Sequence, residues 1–249
     1  IDDKIVELAR SGQDIYKINE KNLLDANPDL IVSQEICEVC SAYTNQVNKA
    51  VTILGKKPEV QILNPHDLDG ILSSITEISK KIGKEKEGER LRESLQKRID
   101  FVKSNKFEQL PKVLCVEWLK PFFTSGHWVP EMVELAGGQN LISKKGEQSR
   151  RMSFDEIYAS NPDIIILMPC GFDASRTISE YKKILQNNSR WRDLRSVKEQ
   201  KVYAVDANSY FSKPSIRTIT GLEILAKIIH PEGFTDLKVP INSFVQITA

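Results

Sequence analysis

Long apolar runs are missing from this chain. The longest, Ile164 to Pro169, is strand-sized, far below the ~18–20 residues that cross a bilayer. Cysteine is sparse, with four in 249 residues, which excludes a disulfide scaffold. Histidine is scarcer still, with three. Neither sign of charge dominates: 35 Lys+Arg stand against 34 Asp+Glu, a net charge of +1. A chain whose main partner is nucleic acid needs a basic surface, so that class is set aside. There is no GxGxxG after a strand, no P-loop, no HExxH and no GxSxG. Enzymatic chemistry therefore has no carrier, and no catalytic residue is assigned. The opening IDDKIVELARSG is charged and amphipathic, without the basic start and apolar block of a signal peptide. Either the protein stays inside the cell or a leader has been removed.

What is present is an ordinary globular composition, 40% hydrophobic and 28% charged, which excludes wholesale disorder. The length allows one large domain or two smaller ones. The most informative feature is a weak internal duplication. Ala26-Asn27-Pro28-Asp29-Leu30-Ile31-Val32-Ser33-Gln34 returns as Ser160-Asn161-Pro162-Asp163-Ile164-Ile165-Ile166-Leu167-Met168. Each copy follows a short helical stretch, Glu20 to Ala26 and Ser153 to Ser160, the second opening on a Ser153/Glu156 capping box. Asn-Pro ends each helix, because the residue before proline is pushed out of the α region. The apolar run that follows reads as a strand buried on both faces, as in a parallel sheet.

Both copies continue alike. The first is followed by a helix over about Ala42 to Leu54, a strand Glu59 to Leu63 and a helix over about His66 to Ile82. The second is followed by a helix over about Ala174 to Gln186, a strand Val202 to Asp206 and a helix over about Ile216 to Ile229. Each half is thus α-β-α-β-α, a unit that winds into a parallel sheet. Between them, Gly83 to Ser104 is charged apart from Leu91, Leu95, Ile99 and Val102 at helical spacing. It reads as one long helix joining two lobes, with a surface helix of one lobe as the plainer alternative. The expected fold class is α/β: two Rossmann-like lobes with parallel sheets joined by a single long backbone helix. The expected boundaries are 1–82 for the first lobe, 83–104 for the helix and 105–249 for the second lobe and its tail.

In open α/β sheets, ligands bind beyond the carboxyl ends of the strands. The residues there become the candidates. They are Gln34, Cys37 and Cys40 after the first buried strand, Glu117 and Trp118 after Lys112 to Val116, and His127 and Trp128 at the next helix start. Cys170, Phe172 and Tyr210 follow the later strands. Aromatic, sulfur and carboxamide groups with few paired charges suit a large, mostly apolar ligand held by a few polar anchors.

The stretches NPDLIVSQEICEVC, EWLKPFFTSGHWVPEMVELAGG, NPDIIILMPCGFD and VYAVDANSYFSKPSIRTITGLEILAKIIHPE resemble the substrate-binding proteins of ABC transporters that carry cobalamin, haem and ferric siderophores. The resemblance runs over most of the chain and lies closest to the branch labelled cobalamin-binding. It implies two α/β lobes on one rigid helix, a cobalamin-like corrinoid or related tetrapyrrole captured between them, and no catalysis. It also implies a monomer, an ABC permease as partner, and a periplasmic or extracellular membrane-associated location. Members of this class begin with a further strand and helix, so the first lobe is expected to lack them. They dock through an exposed Glu on each lobe, whereas Lys213 stands at the second-lobe position, which puts docking in doubt.

Other chemistry stays open. Cys37 and Cys40 form a CxxC between a strand and a helix, the setting of a thiol redox site or half of a zinc site. His127 could ligate the metal of a bound tetrapyrrole, or only hydrogen-bond its own loop. Cys37, Cys40 and His127 are the candidate metal ligands, none of them assigned. His66 is read as starting a helix, His230 as ending one, and Asp173 as a helix cap. Haem or ferric-siderophore binding, and thiol redox or metal handling by Cys37 and Cys40, are the alternatives to corrinoid capture.

Overall fold

The computed structural model of the chain describes residues 16–36 and 44–248. The first half holds α1 (Glu20–Ala26), β1 (Leu30–Gln34), α2 (Thr44–Leu54), β2 (Glu59–Leu63) and α3 (Leu68–Lys81). The long α4 (Glu85–Ser104) follows. The second half holds β3 (Lys112–Leu119), β4 (Phe122–Thr124), α5 (Val129–Leu135), β5 (Gln139–Asn140), α6 (Phe154–Ser160), β6 (Ile164–Leu167) and α7 (Ala174–Ile184). It continues with α8 (Ser189–Arg192), α9 (Arg195–Lys198), β7 (Val202–Val205), α10 (Ala207–Tyr210), α11 (Thr218–Ile229) and β8 (Phe244–Gln246).

The duplicated segments fold alike for the same local reason. Asn27 and Asn161 end α1 and α6 in the left-handed conformation, with φ of 40° and 43°, which asparagine tolerates better than most residues. The proline behind each prevents a further turn. Ser153 caps α6 reciprocally: its hydroxyl accepts from Glu156 N–H at 3.2 Å, and Glu156 Oε2 accepts from Ser153 N–H at 2.8 Å.

In the second half, β3, β6 and β7 pair in parallel, in the order β4-β3-β6-β7-β8, with β5 also on β3. The alternation of a strand explains why these segments are apolar throughout. Val113, Cys115, Ile164 and Ile166 enter one core with α5 and α11, while Leu114, Val116, Ile165 and Leu167 enter the other with Tyr181, Leu185 and Trp191. Each fully buried side chain of this size contributes about 1.5–3 kcal/mol. The edges depart from the expected parallel arrangement. β3 runs on to Leu119, and β4 folds back antiparallel on it. The tail returns as β8, antiparallel to β7.

In the first half, β1 and β2 pair in parallel, Leu30 with Glu59 through Gln34 with Leu63. Burial on both faces was expected of β1, and here the structure differs. Val32 is 46% exposed and Ile62 41%, and their register places them on opposite faces. The described helices of this half leave both faces partly open.

The stripe of α4 is Gly88, Leu95, Ile99 and Val102, whereas Leu91, expected in it, is exposed. Gly88 lets α3 approach: a Cβ there would lie 2.3 Å from Ser79 Oγ. On the other side, Arg98 reaches Glu223 and Thr220 of α11. Leu68, Ile71 and Leu72 of α3 join Leu95, Ile99 and Val102 in the same core as β3 and α11.

Candidate functional site

The carboxyl ends of β3 and β6 frame a cavity of about 1000 Å³, lined wholly by second-half residues. Trp118 and Phe172 form one aromatic wall, edge to face with centroids 5.4 Å apart. The guanidinium of Arg176 lies 3.7 Å from the Phe172 ring centroid, a cation–π stack that aims a charge along an apolar surface. Lys120 and Lys183 also line the cavity, against the single carboxylate of Glu180. The site is more cationic than its strand-end residues alone suggested.

Local folding fixes these groups. Asp173 caps α7 by accepting from Arg176 N–H at 2.7 Å, as expected, and so seats Arg176 in the first turn above Phe172. β4 returns along β3 with Trp118 paired to Phe123 and Leu119 to Phe122. Trp118 therefore lies within β3, in its antiparallel end, rather than in a loop after it.

A second junction joins the halves. His66, between β2 and α3, sets its Nδ1 3.4 Å from His127 Nδ1. Two residues on, Leu68 N–H donates to Glu131 Oε2 at 3.0 Å. Lys145 Nζ donates to Glu131 Oε1 at 2.7 Å and lies 3.6 Å from Asp67 Oδ2, and the Glu131 hydrogen bond holds its pKa above the ordinary lysine range. His127 takes a left-handed φ of 55°, which costs a side-chain-bearing residue energy. Its backbone is pinned on both sides, N–H to Glu147 O at 2.7 Å and C=O from Gly146 N–H at 2.9 Å. Burial first, and then His66, push its pKa below the usual imidazole value.

The expected site residues divide as follows. Trp118 and Phe172 come together in the cavity. Glu117 and Cys170 are half-buried neighbours, Cys170 N–H donating to Glu117 O at 3.3 Å. His127 faces the first half instead. Gln34 bends back, its side chain accepting from Ile36 N–H at 2.9 Å. Tyr210 packs half-buried on the core. Trp128 is packed in the core at 4% exposure, away from the cavity, with its indole N–H donating to Phe211 O at 3.1 Å. Cys37 and Cys40 lie outside the described residues. Among the described residues, no group of three or more His, Cys, Asp or Glu is placed to hold a metal. His230 ends α11, stacked on Phe107 at 3.5 Å.

Two residues matter here that the sequence reading passed over. Arg176 was signalled by its place three residues after the Asp173 cap. His66, read only as a helix start, was signalled by following a strand end, the rule applied to Gln34, Glu117 and Cys170.

The sequence model of one family, described as periplasmic binding protein, matches residues 14–209. The high-affinity heme uptake system protein IsdE of Staphylococcus aureus (strain MRSA252) is 26% identical over 145 residues, 56% of this chain and 49% of that protein. The chain spans about half the length of the curated relatives it matches. Among solved structures, an ABC transporter substrate-binding protein from Listeria monocytogenes EGD-e superposes with a TM-score of 0.72 at 19% identity, over 86% of this chain and 81% of that one. S. aureus IsdE complexed with heme gives 0.70 at 19% identity, over 86% and 81%. A periplasmic heme binding protein from Pseudomonas aeruginosa gives 0.71 at 16% identity, over 94% and 82%. These structural likenesses speak for the fold.

Proposed function

Since this chain belongs to the periplasmic binding protein family, we propose that it captures a metal tetrapyrrole, haem first, for import by an ABC transporter, without reacting on it. The cavity carries this reading. Trp118 and the largely buried Phe172, set edge to face, offer an apolar wall, and Lys120, Arg176 and Lys183 surround it with positive charge. Haem is a flat apolar ring with two carboxylates on one edge, which such a wall and rim suit. Cobalamin, the first expectation, carries amides around its ring and a single phosphodiester, a poorer match than two carboxylates to three cations. The heme-binding names of the similar proteins lean the same way. Ferric siderophores, many of them anionic, remain the second reading for the same cations.

Capture would take place outside the cytoplasmic membrane. Among the described residues no helix is long and apolar enough to cross one. We read residues 1–82 and 105–249 as two lobes on the helix of 83–104. Docking to a permease would have to accommodate Lys213, whose amine donates to Asn208 Oδ1 at 3.2 Å. The redox reading of Cys37 and Cys40 lies outside the described residues.

The test is a parallel titration with haem, cyanocobalamin and a ferric siderophore, followed by visible absorbance and calorimetry. Saturation at one haem per chain, with a shifted Soret band, is expected. Saturation by cobalamin alone would restore the corrinoid reading, and no change with any of the three would overturn capture of this class.

A further inference from the structure

The two facing histidines invite a question that the cavity does not answer. Their Nδ1 atoms are 3.4 Å apart and their ring centroids 5.5 Å. The centroids exceed the nitrogens by only 5.5 − 3.4 = 2.1 Å, so each Nδ1 lies on the ring edge facing its partner. Two nitrogens at about 2.0–2.1 Å from a tetrahedral ion sit about 3.3–3.4 Å apart. Two nitrogens trans across one ion would sit about 4 Å apart, twice the bond length. Without an ion the two nitrogens share one N–H···N hydrogen bond; the same spacing also suits neighbouring ligands on one tetrahedral ion, and does not suit axial ligands on opposite faces of a macrocycle.

We propose that His66 and His127 form a two-imidazole clasp for a free zinc-like transition-metal ion, joining the first half of the chain to the second. Imidazole is a natural ligand for such ions, in its neutral form. The local carboxylates are already engaged. Asp67 Oδ1 accepts from Gly70 N–H at 2.8 Å, and Glu131 accepts from Leu68 and Lys145. The remaining coordination positions are therefore left to water or to an incoming donor, which makes an open site of moderate affinity.

The left-handed backbone of His127 gains a purpose in this setting. It turns the ring off the start of α5 toward the first half, and the Glu147 and Gly146 hydrogen bonds hold it there. An ion at the clasp would tether residue 66 to residue 127 and stabilise the junction that Glu131 and Lys145 already bridge. The inference stands apart from the tetrapyrrole reading, since neither histidine lines the cavity.

The test is calorimetric titration of the full chain with zinc chloride, alongside cobalt(II), whose intense visible bands report tetrahedral geometry. One equivalent is expected, with a rise in melting temperature. His66→Gln and His127→Gln should each weaken binding at least tenfold and abolish the rise. Cys37→Ser with Cys40→Ser should leave both intact. Unchanged binding in either histidine variant, or loss in the cysteine variant, would overturn the clasp. A second measurement needs no variant: zinc should protect His66 and His127 together from diethylpyrocarbonate, read by peptide mass spectrometry. Protection of neither, or of one alone, would overturn it equally.

Discussion

Arg98 and Glu223 lie 125 positions apart, yet the guanidinium holds the carboxylate through two hydrogen bonds, Nε to Oε1 at 2.8 Å and a terminal nitrogen to Oε2 at 2.6 Å. The same terminal nitrogen reaches Thr220 Oγ1 at 2.8 Å. This fork is what fastens the long α4 to α11, and it raises the Arg98 pKa mainly through the Glu223 hydrogen bond. The carboxylate side chain is 9% exposed and the guanidinium side chain 37%. Removing Arg98 would leave a nearly buried charge unpaired. A fully buried pair costs about 3–5 kcal/mol when broken this way, and solvent at Arg98 reduces that to on the order of 2–3. Urea unfolding of Arg98→Met should show the loss. The double variant Arg98→Met with Glu223→Leu should recover most of it, because no charge is then stranded. A single variant as stable as the parent would mean that the fork is decorative.

Gly88 predicts an effect of the opposite sign to helix propensity. In an exposed helix, alanine stabilises by roughly 1 kcal/mol over glycine. At Gly88 the new Cβ would meet Ser79 Oγ at 2.3 Å and Ser79 Cβ at 2.4 Å. Such overpacking costs about 1–3 kcal/mol, so Gly88→Ala should lower the melting temperature. Ser79→Gly added to it should restore part of the loss. A higher melting temperature in the single variant would show that α3 and α4 stand further apart.

The repeated Asn-Pro-Asp segments made the succession of helix and strand in each half readable, because helix stop, turn and buried strand follow from adjacent residues. The Ser153/Glu156 capping box and the Asp173 cap were legible for the same reason, although Arg176 was not. What escaped was set by residues distant in sequence. The alternation of Val113 and Leu114 says nothing about whether β4 or β8 will pair antiparallel at the edges. The apolar run of β1 looked as buried as that of β6, but burial depends on how many helices cover the sheet. Trp128 stood beside a candidate histidine, yet Phe211 O, 83 positions away, takes its indole into the core. His66 and His127 are 61 positions apart, and only the meeting of the halves pairs them.

Cys115 offers a clean probe of the second-half core. Burial alone drives its thiol pKa far above the ordinary value. A raised pKa means less thiolate at any given pH, and thiolate is the species that alkylates. In native protein at mildly alkaline pH, the Cys115 peptide should stay unmodified by iodoacetamide over hours, then react fully once urea unfolds the chain. Mass spectrometry of the digested protein reads both states. Rapid native labelling of Cys115 would mean that the sheet between β3 and α11 opens far more often than its packing implies.

Arg176 gives the sharpest mutational test of the cavity's cargo. If its guanidinium, poised over Phe172, meets a carboxylate of haem, then Arg176→Ala should weaken haem binding by about 3- to 10-fold. The effect is modest because the residue is exposed and a solvated ion pair contributes little. Two further results must follow from the same contact. Haem dimethyl ester, which lacks the charge, should bind parent and variant equally. Raising the salt should weaken the parent more than the variant. Equal loss for haem and its ester would instead place the effect in the apolar stack with Phe172. In that case the cations of the cavity would have another task than recognising carboxylates.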